Sequence, residues 1–310
     1  MNSLHVSNGI SATVGLQPDI LCIGSVLWDI IGRAHMHMAP GADVPGRITR
    51  RPGGVAMNIA MTLARFGLRP ALLSAVGRDE EGEELVAVAQ RMGLDCSHVY
   101  RSQDLPTDRY LAIEAANGLI AAVADAYSLE AAGERILKPL GDGGLGSFDA
   151  PWAGPVALDG NLTEALLAQI AQSPLFALAD LRVAPASPGK AERLLPLLRR
   201  PRTTLYLNLE EAGILCQDRF EDAPAAAAAL IERGAHRVLV TDGPRAAACG
   251  AADGVIHQVP PPVLQTRVTG AGDTFMAAHW VAERRGAGRE AALAAALQAA
   301  ARHVSGELPA

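Results

Sequence analysis

Val268-Thr269-Gly270-Ala271-Gly272-Asp273-Thr274-Phe275-Met276-Ala277-Ala278 joins a glycine-rich turn to the start of an apolar helix. Small residues at 270–272 let backbone N–H groups come close to an anion, and a helix beginning there adds the positive end of its dipole. An acid in that position serves an ordinary helix as an N-cap or first-turn residue. Beside an anion-binding turn, the same carboxylate can accept the proton of a hydroxyl that attacks a bound phosphate. The spacing around Asp273 allows both roles.

Outward from this stretch, the chain alternates short aliphatic runs with helical ones. Strands are expected at Ile20–Ile23, Ala71–Val76, Val156–Leu158, Phe176–Ala179, Thr204–Leu207 and Val238–Val240. These are continuous apolar runs, as for strands covered by helices on both faces. Helices are expected at Val55–Phe66, Glu81–Met92, Glu164–Ala171, Gly189–Leu198, Ala223–Glu232, Thr274–Arg285 and Arg289–Val304. Strand and helix in this alternation predict an α/β fold, a doubly wound and mostly parallel sheet flanked by helices.

Residues 31–51 and 106–125 break the rhythm with short extended runs, and Asn117-Gly118 between two of them is a strong hairpin signal. They predict a small β-sheet placed as a lid over a cleft, with strand edges that invite a homodimer. Residues 1–18 read as a flexible leader to a single domain over 19–310. The GDGGLGS run at 141–147 reads as a loop, and PPP at 260–262 as a stiff connector.

The chain has 310 residues, 49% hydrophobic and 19% charged, which excludes a disordered or fibrous protein. Its net charge of −6 argues against nucleic acid as a partner. No apolar run is long enough to span a membrane. Cys22, Cys96, Cys216 and Cys249 are scattered without a CxxC, as in a cytoplasmic protein with reduced thiols.

Two further segments carry candidate chemistry. In Arg51-Pro-Gly-Gly-Val-Ala-Met-Asn58, two glycines precede a helix whose first turn holds Asn58, a donor and acceptor suited to a vicinal diol. Taken alone, the segment reads first as a helix-start turn with an incidental Asn. Gly24-Ser-Val-Leu-Trp-Asp29 follows the first strand, at the end of the sheet where ligands bind in such folds. Asp29 there either grips hydroxyls or caps a turn, and Trp28 reads as packing. His35 and His37 read as lid surface, and Arg199–Arg202 as a solvated turn.

Taken in order, Gly-(x)4-Asp, Gly-Gly-(x)3-Asn, Asn208-Leu-Glu-Glu211 and Thr-Gly-Ala-Gly-Asp resemble the ribokinase-like, or PfkB, family of carbohydrate and nucleoside kinases. The resemblance implies ATP-dependent phosphorylation of a primary hydroxyl, with Mg2+ and, in some members, a monovalent cation such as K+. It implies a catalytic base at Asp273 and an anion hole at Gly270, Ala271 and Gly272. It matches Asp29, Gly54 and Asn58 to substrate hydroxyls, and Asn208 and Glu211 to the organisation of magnesium and phosphate. Thr241 and Gly243 match the nucleotide-side loop, which here ends in Ala246, and Gln298 lies where the last helix approaches the nucleotide. Within the family, Thr107-Asp-Arg-Tyr110, Asp159-Gly-Asn161 and Pro185-Ala-Ser-Pro-Gly-Lys190 are most similar to the pseudouridine kinases. That likeness implies lid contacts from Thr107 and Tyr110, a substrate contact from Asn161, and pseudouridine 5′-phosphate as product. Another sugar or nucleoside kinase, for ribose or adenosine, and a catalytically idle nucleoside-binding regulator are the alternatives.

Overall fold

A computed structural model describes residues 17–264 and 269–307. Residues 1–16, most of the expected leader, and Val268 lie outside them. In chain order, β1 (Ile20–Ile23) is followed by β2 (Leu27–Arg33), β3 (Arg47–Gly53), α1 (Val55–Arg65) and β4 (Pro70–Leu73). Next come β5 (Ala75–Gly77), α2 (Glu80–Arg91), β6 (Tyr100–Ser102), β7 (Arg109–Ala115), β8 (Gly118–Asp125) and α3 (Tyr127–Ala132). The chain continues through β9 (Pro155–Asp159), α4 (Glu164–Gln172), β10 (Asp180–Ala184), β11 (Thr203–Asn208), α5 (Leu209–Cys216) and α6 (Ala223–Glu232). It ends with β12 (Arg237–Thr241), β13 (Ala247–Ala251), β14 (Gly254–Gln258), α7 (Ala271–Arg284) and α8 (Arg289–Val304).

The central sheet runs in the order β14-β13-β12-β11-β10-β9-β1-β4, parallel from β12 to β4, with β13 and β14 added antiparallel. Period-two alternation divides the core between its faces. Leu21 and Ile23 pack with α4, α5 and α6, whereas Ile20 and Cys22 pack with α1, α7 and α8. From β1 the chain moves outward to β4, and later returns on the other side at β9. This makes the β1/β9 boundary the crevice at which a doubly wound sheet binds ligands.

The separate small sheet has the order β3-β2-β7-β8, so 31–51 and 106–125 do form one sheet apart from the main one. Its β7–β8 hairpin turns at Asn117-Gly118, where Gly118 has φ 96. β2 begins earlier than expected and carries Asp29 into this sheet. Trp28 is buried, and its indole N–H donates to Glu81 O of α2 at 2.9 Å. On the same face Arg50 reaches Glu84, and Arg109 reaches Glu81 at 2.7 Å.

Several expectations need correction. Phe176 closes a 3-10 turn rather than opening a strand, and the strand is β10, immediately after it. Asp180 and Arg182 hid it, because Arg182 is buried in an ion network with Asp180, Glu283 and Tyr206. Residues 71–76 divide at Ser74, and β5 pairs with β6 instead of joining the main sheet. Pro188–Leu197 is a 3-10 segment rather than an α-helix, with Pro196 inside it lacking the N–H that an α-helix needs. The Asp273 helix starts at Ala271, one turn early, behind Gly270 in the left-handed region (φ 84).

Candidate active site

The carboxyl ends of β1 and β9 are joined by side chains. Ser25, just after β1, donates its backbone N–H to Asp159 Oδ2 at 2.7 Å, and its hydroxyl donates to the same oxygen. The Ser25 oxygen also accepts the Val55 N–H of α1 at 2.9 Å. Asp159, fully buried, therefore fixes the turn that starts α1. Gly54 stands at that start with φ 95, and a Cβ on it would lie 2.4 Å from Ser25 O. A Cβ on Gly53 would lie 2.2 Å from the Asp29 carboxyl carbon. The glycine pair makes room for Ser25 and Asp29.

One turn into α1, Asn58 donates its amide N–H to Asp273 Oδ2 at 2.9 Å. Residues 215 positions apart thus meet at the facing starts of α1 and α7. The N–H groups of 271–273, in the first turn of α7, have no intrahelical acceptors and suit an anion. Asp29 is 7% exposed, and burial lifts its carboxyl to about 6 against the opposing pull of Arg51. For Asp273, loss of hydration is the main cause of a rise to about 7. The Asn58 hydrogen bond works against it, while Asp159, Asp29 and Glu211 reinforce it. A carboxyl near neutrality beside anion donors is equipped to take a proton from a hydroxyl.

The other expected residues divide into groups. Tyr110 is the cross-strand neighbour of Asp29, as Arg51 is from the other side, so the three share one face of the small sheet. Thr107 is buried, with its N–H and hydroxyl both given to Asp79, the N-cap of α2. It braces the entry to β7 rather than presenting its hydroxyl to a ligand. Asn161 is clamped, donating to Asp159 Oδ1 at 2.8 Å and Ser25 Oγ at 3.0 Å while accepting from Lys190.

Asn208 and Thr241 are paired at the ends of β11 and β12, and Gly243 (φ 55) follows them. With Gly213, Gln217 and Phe220 they line an open cleft of about 890 Å³. Asn208 and Glu211 form a capping box at the start of α5. The Asn208 N–H donates to Glu211 Oε2, and Asn208 Oδ1 accepts from Glu211 N, both at 2.8 Å. Gln298 is exposed on α8 and does not line this cleft. Among the described residues, no cluster of three His, Cys, Asp or Glu side chains forms a cage for a metal. Asp159, Asp29 and Glu211 add to the negative charge around Asp273.

Sequence reasoning missed Asp159 as the brace of the site. It also missed Arg51 and His303, which line a small cavity of about 40 Å³ with Asp29, Asn58, Thr269 and Gly270. Each is a single residue without a local pattern.

The family model described as "pfkB family carbohydrate kinase" matches residues 17–308. The chain is 31% identical over 270 residues to the uncharacterized sugar kinase YeiI of Escherichia coli (strain K12), covering 84% of this chain and 71% of that one. It is 29% identical over 275 residues to the pseudouridine kinase of the same organism, covering 83% and 81%. Among solved structures, a carbohydrate kinase from Agrobacterium tumefaciens is 26% identical with a TM-score of 0.75, over 91% of this chain and 89% of that one. An Arabidopsis thaliana ribokinase complexed with ribose and ATP shares the fold, with a TM-score of 0.76 at 20% identity over 95% and 94% of the chains.

Proposed function

The chain belongs to the pfkB family of carbohydrate kinases, phosphotransferases with an alcohol acceptor, and from that premise we propose that it transfers the γ-phosphate of MgATP to the 5′-hydroxyl of pseudouridine. The observation that carries this reading is the Asn58–Asp273 hydrogen bond, which sets a near-neutral carboxyl beside a diol-binding amide and the Asp29 carboxylate. Asp29 and Asn58 would bind the ribose hydroxyls, and the Gly53-Gly54 turn would let the sugar approach the backbone. Asp273 would accept the 5′-hydroxyl proton while the first-turn N–H groups of α7 hold the phosphate oxygens. Magnesium, held from the Asp273 and Glu211 side of the cleft, would neutralise charge on those oxygens. Asn208, Thr241 and Gly243 would line the nucleotide cleft.

In this reading residues 19–310 are one kinase domain, and the small sheet is its lid, whose inner face presents Asp29, Arg51 and Tyr110 to the substrate. Its outer face exposes Ile48 (76%), Leu111 (44%) and Val123 (64%), a surface that a second copy would cover in a homodimer detectable by light scattering. The four cysteines are free and buried, consistent with a cytoplasmic protein. The sugar kinase relative keeps a second reading open, in which the acceptor is a free sugar.

ATP consumption measured against pseudouridine, uridine, adenosine, ribose and fructose 6-phosphate separates the readings. Pseudouridine and uridine share the ribosyl hydroxyls, but only pseudouridine carries the extra base N–H. A site that bonds this group can reject uridine by about 10⁴-fold. We expect kcat/KM to be highest for pseudouridine. Robust turnover of ribose or adenosine, with none of pseudouridine, would overturn the substrate assignment and leave the kinase reading intact.

A further inference from the structure

His303 stands in the last turn of α8, far in sequence from the glycine-rich turn, and its ring lies against that turn. Its Nε2 is 2.8 Å from Thr269 O, and its Nδ1 is 3.2 Å from Thr274 Oγ1. A carbonyl only accepts, so Nε2 must carry the hydrogen in that bond. In the neutral ring Nδ1 is then an acceptor, and the Thr274 hydroxyl donates to it. One imidazole therefore ties together both flanks of Gly270-Ala271-Gly272, the residue before the turn and the residue after Asp273. The fit is close. A Cβ on Gly270 would lie 3.3 Å from both Cε1 and Nε2 of the ring, so the glycine also serves to admit His303. His303 is buried at 7% exposure, and its bond to Thr274 is shielded from competing water.

The turn needs such a brace. Gly270 has a left-handed backbone that glycine holds only weakly, and the first-turn N–H groups gain nothing from the helix itself. Donors that stabilise a transferring phosphate are effective only where they are fixed beforehand. We infer that His303 is a positioning residue, which holds the 269–274 turn so that its N–H groups and the Asp273 carboxylate stay aligned on the phosphoryl group. This rests on the reading of that turn as the phosphate cradle.

The test compares His303→Leu, which keeps bulk without polarity, with His303→Gln, whose amide can both donate to Thr269 O and accept from Thr274. Hydrogen exchange at the Thr274 amide, bonded to Gly270 O at 3.0 Å, reports the turn without any substrate. The Leu variant should exchange there at least tenfold faster, and the Gln variant within threefold of wild type. In steady-state assays with the best acceptor, the Leu variant should lose about 10–100-fold in kcat, the range for a misplaced catalytic group. KM for the acceptor should change by less than threefold, and Gln should restore most of kcat. Unchanged exchange in the Leu variant overturns the inference whatever the substrate proves to be. So does a Leu variant with wild-type kcat alongside an inactive Asp273→Asn control, or a Gln variant as impaired as Leu. An active Asp273→Asn control would instead refute the kinase mechanism, and the exchange result would still decide the role of His303 in the turn.

Discussion

Replacing Asp273 with Asn should destroy activity and stabilise the protein, with a pH dependence that identifies the cause. The shape is conserved, and the Asn58 amide can still donate to the side-chain oxygen it now reaches at 2.9 Å. The proton acceptor is lost, so kcat should fall by roughly 10²–10⁴-fold, the range for a positioned general base. Stability follows from the carboxyl being raised from 3.8 to about 7, mainly by burial. A group whose folded value is raised leaves the fold fully stable below the unfolded value, and that stability is lost as pH rises through the folded value. The full displacement corresponds to about 4 kcal/mol. Asp273 is only half-buried, so solvent screening lowers this to ~2 kcal/mol. For a chain of this length that is a gain of about 3 °C in Tm. Without nucleotide or metal, Asp273→Asn should melt above wild type at pH 8, and the difference should close as pH falls from 7 toward 4. Equal Tm values at pH 8, or a gap independent of pH, would show that Asp273 is not held against its ionisation. Near wild-type turnover would make it a helix-start residue and no base.

Gly53→Ala would put a Cβ 2.2 Å from the Asp29 carboxyl carbon, so kcat/KM should fall at least tenfold, as expected for a displaced substrate-binding group. Unchanged kinetics would remove Asp29 from the site. His279, buried beside Tyr206 Oη at 2.8 Å, is pushed down to about 3, chiefly by burial, against an ordinary 6.5. Its unfolded form takes up a proton below 6.5 while the folded form does not, so stability falls with pH across 6.5 to 3. Between pH 6.5 and 5, wild type should lose about 2 kcal/mol relative to His279→Gln in urea titrations, and parallel curves would contradict a neutral buried ring.

Much of the fold was legible because its signals are local. Val55–Arg65, Glu80–Arg91, Ala223–Glu232 and Arg289–Val304 announce themselves by apolar period, and all four match the expected bounds to within a residue. Asn117-Gly118 between alternating runs located the small-sheet hairpin. The β13–β14 hairpin escaped because Ala247-Ala-Cys-Gly-Ala251 has no bulky residues to mark a strand, and β10 because its charges answer partners on β11 and α7. The site divides in the same way. Gly270–Asp273, Gly53-Gly54 and Asn58 were readable, since a turn that admits an anion or a close backbone needs small residues in short order. That Asn58 meets Asp273, that Asp159 holds Ser25, that Thr107 serves Asp79, and that His303 closes over Gly270 are encoded in no local spacing. Sheet order decides them: β1 lies between β9 and β4, and α1, α7 and α8 share one face, which brings residues more than two hundred positions apart within a hydrogen bond. A hydrogen bond acts over 3 Å and is indifferent to separation along the chain, so such contacts exist only once the chain has folded.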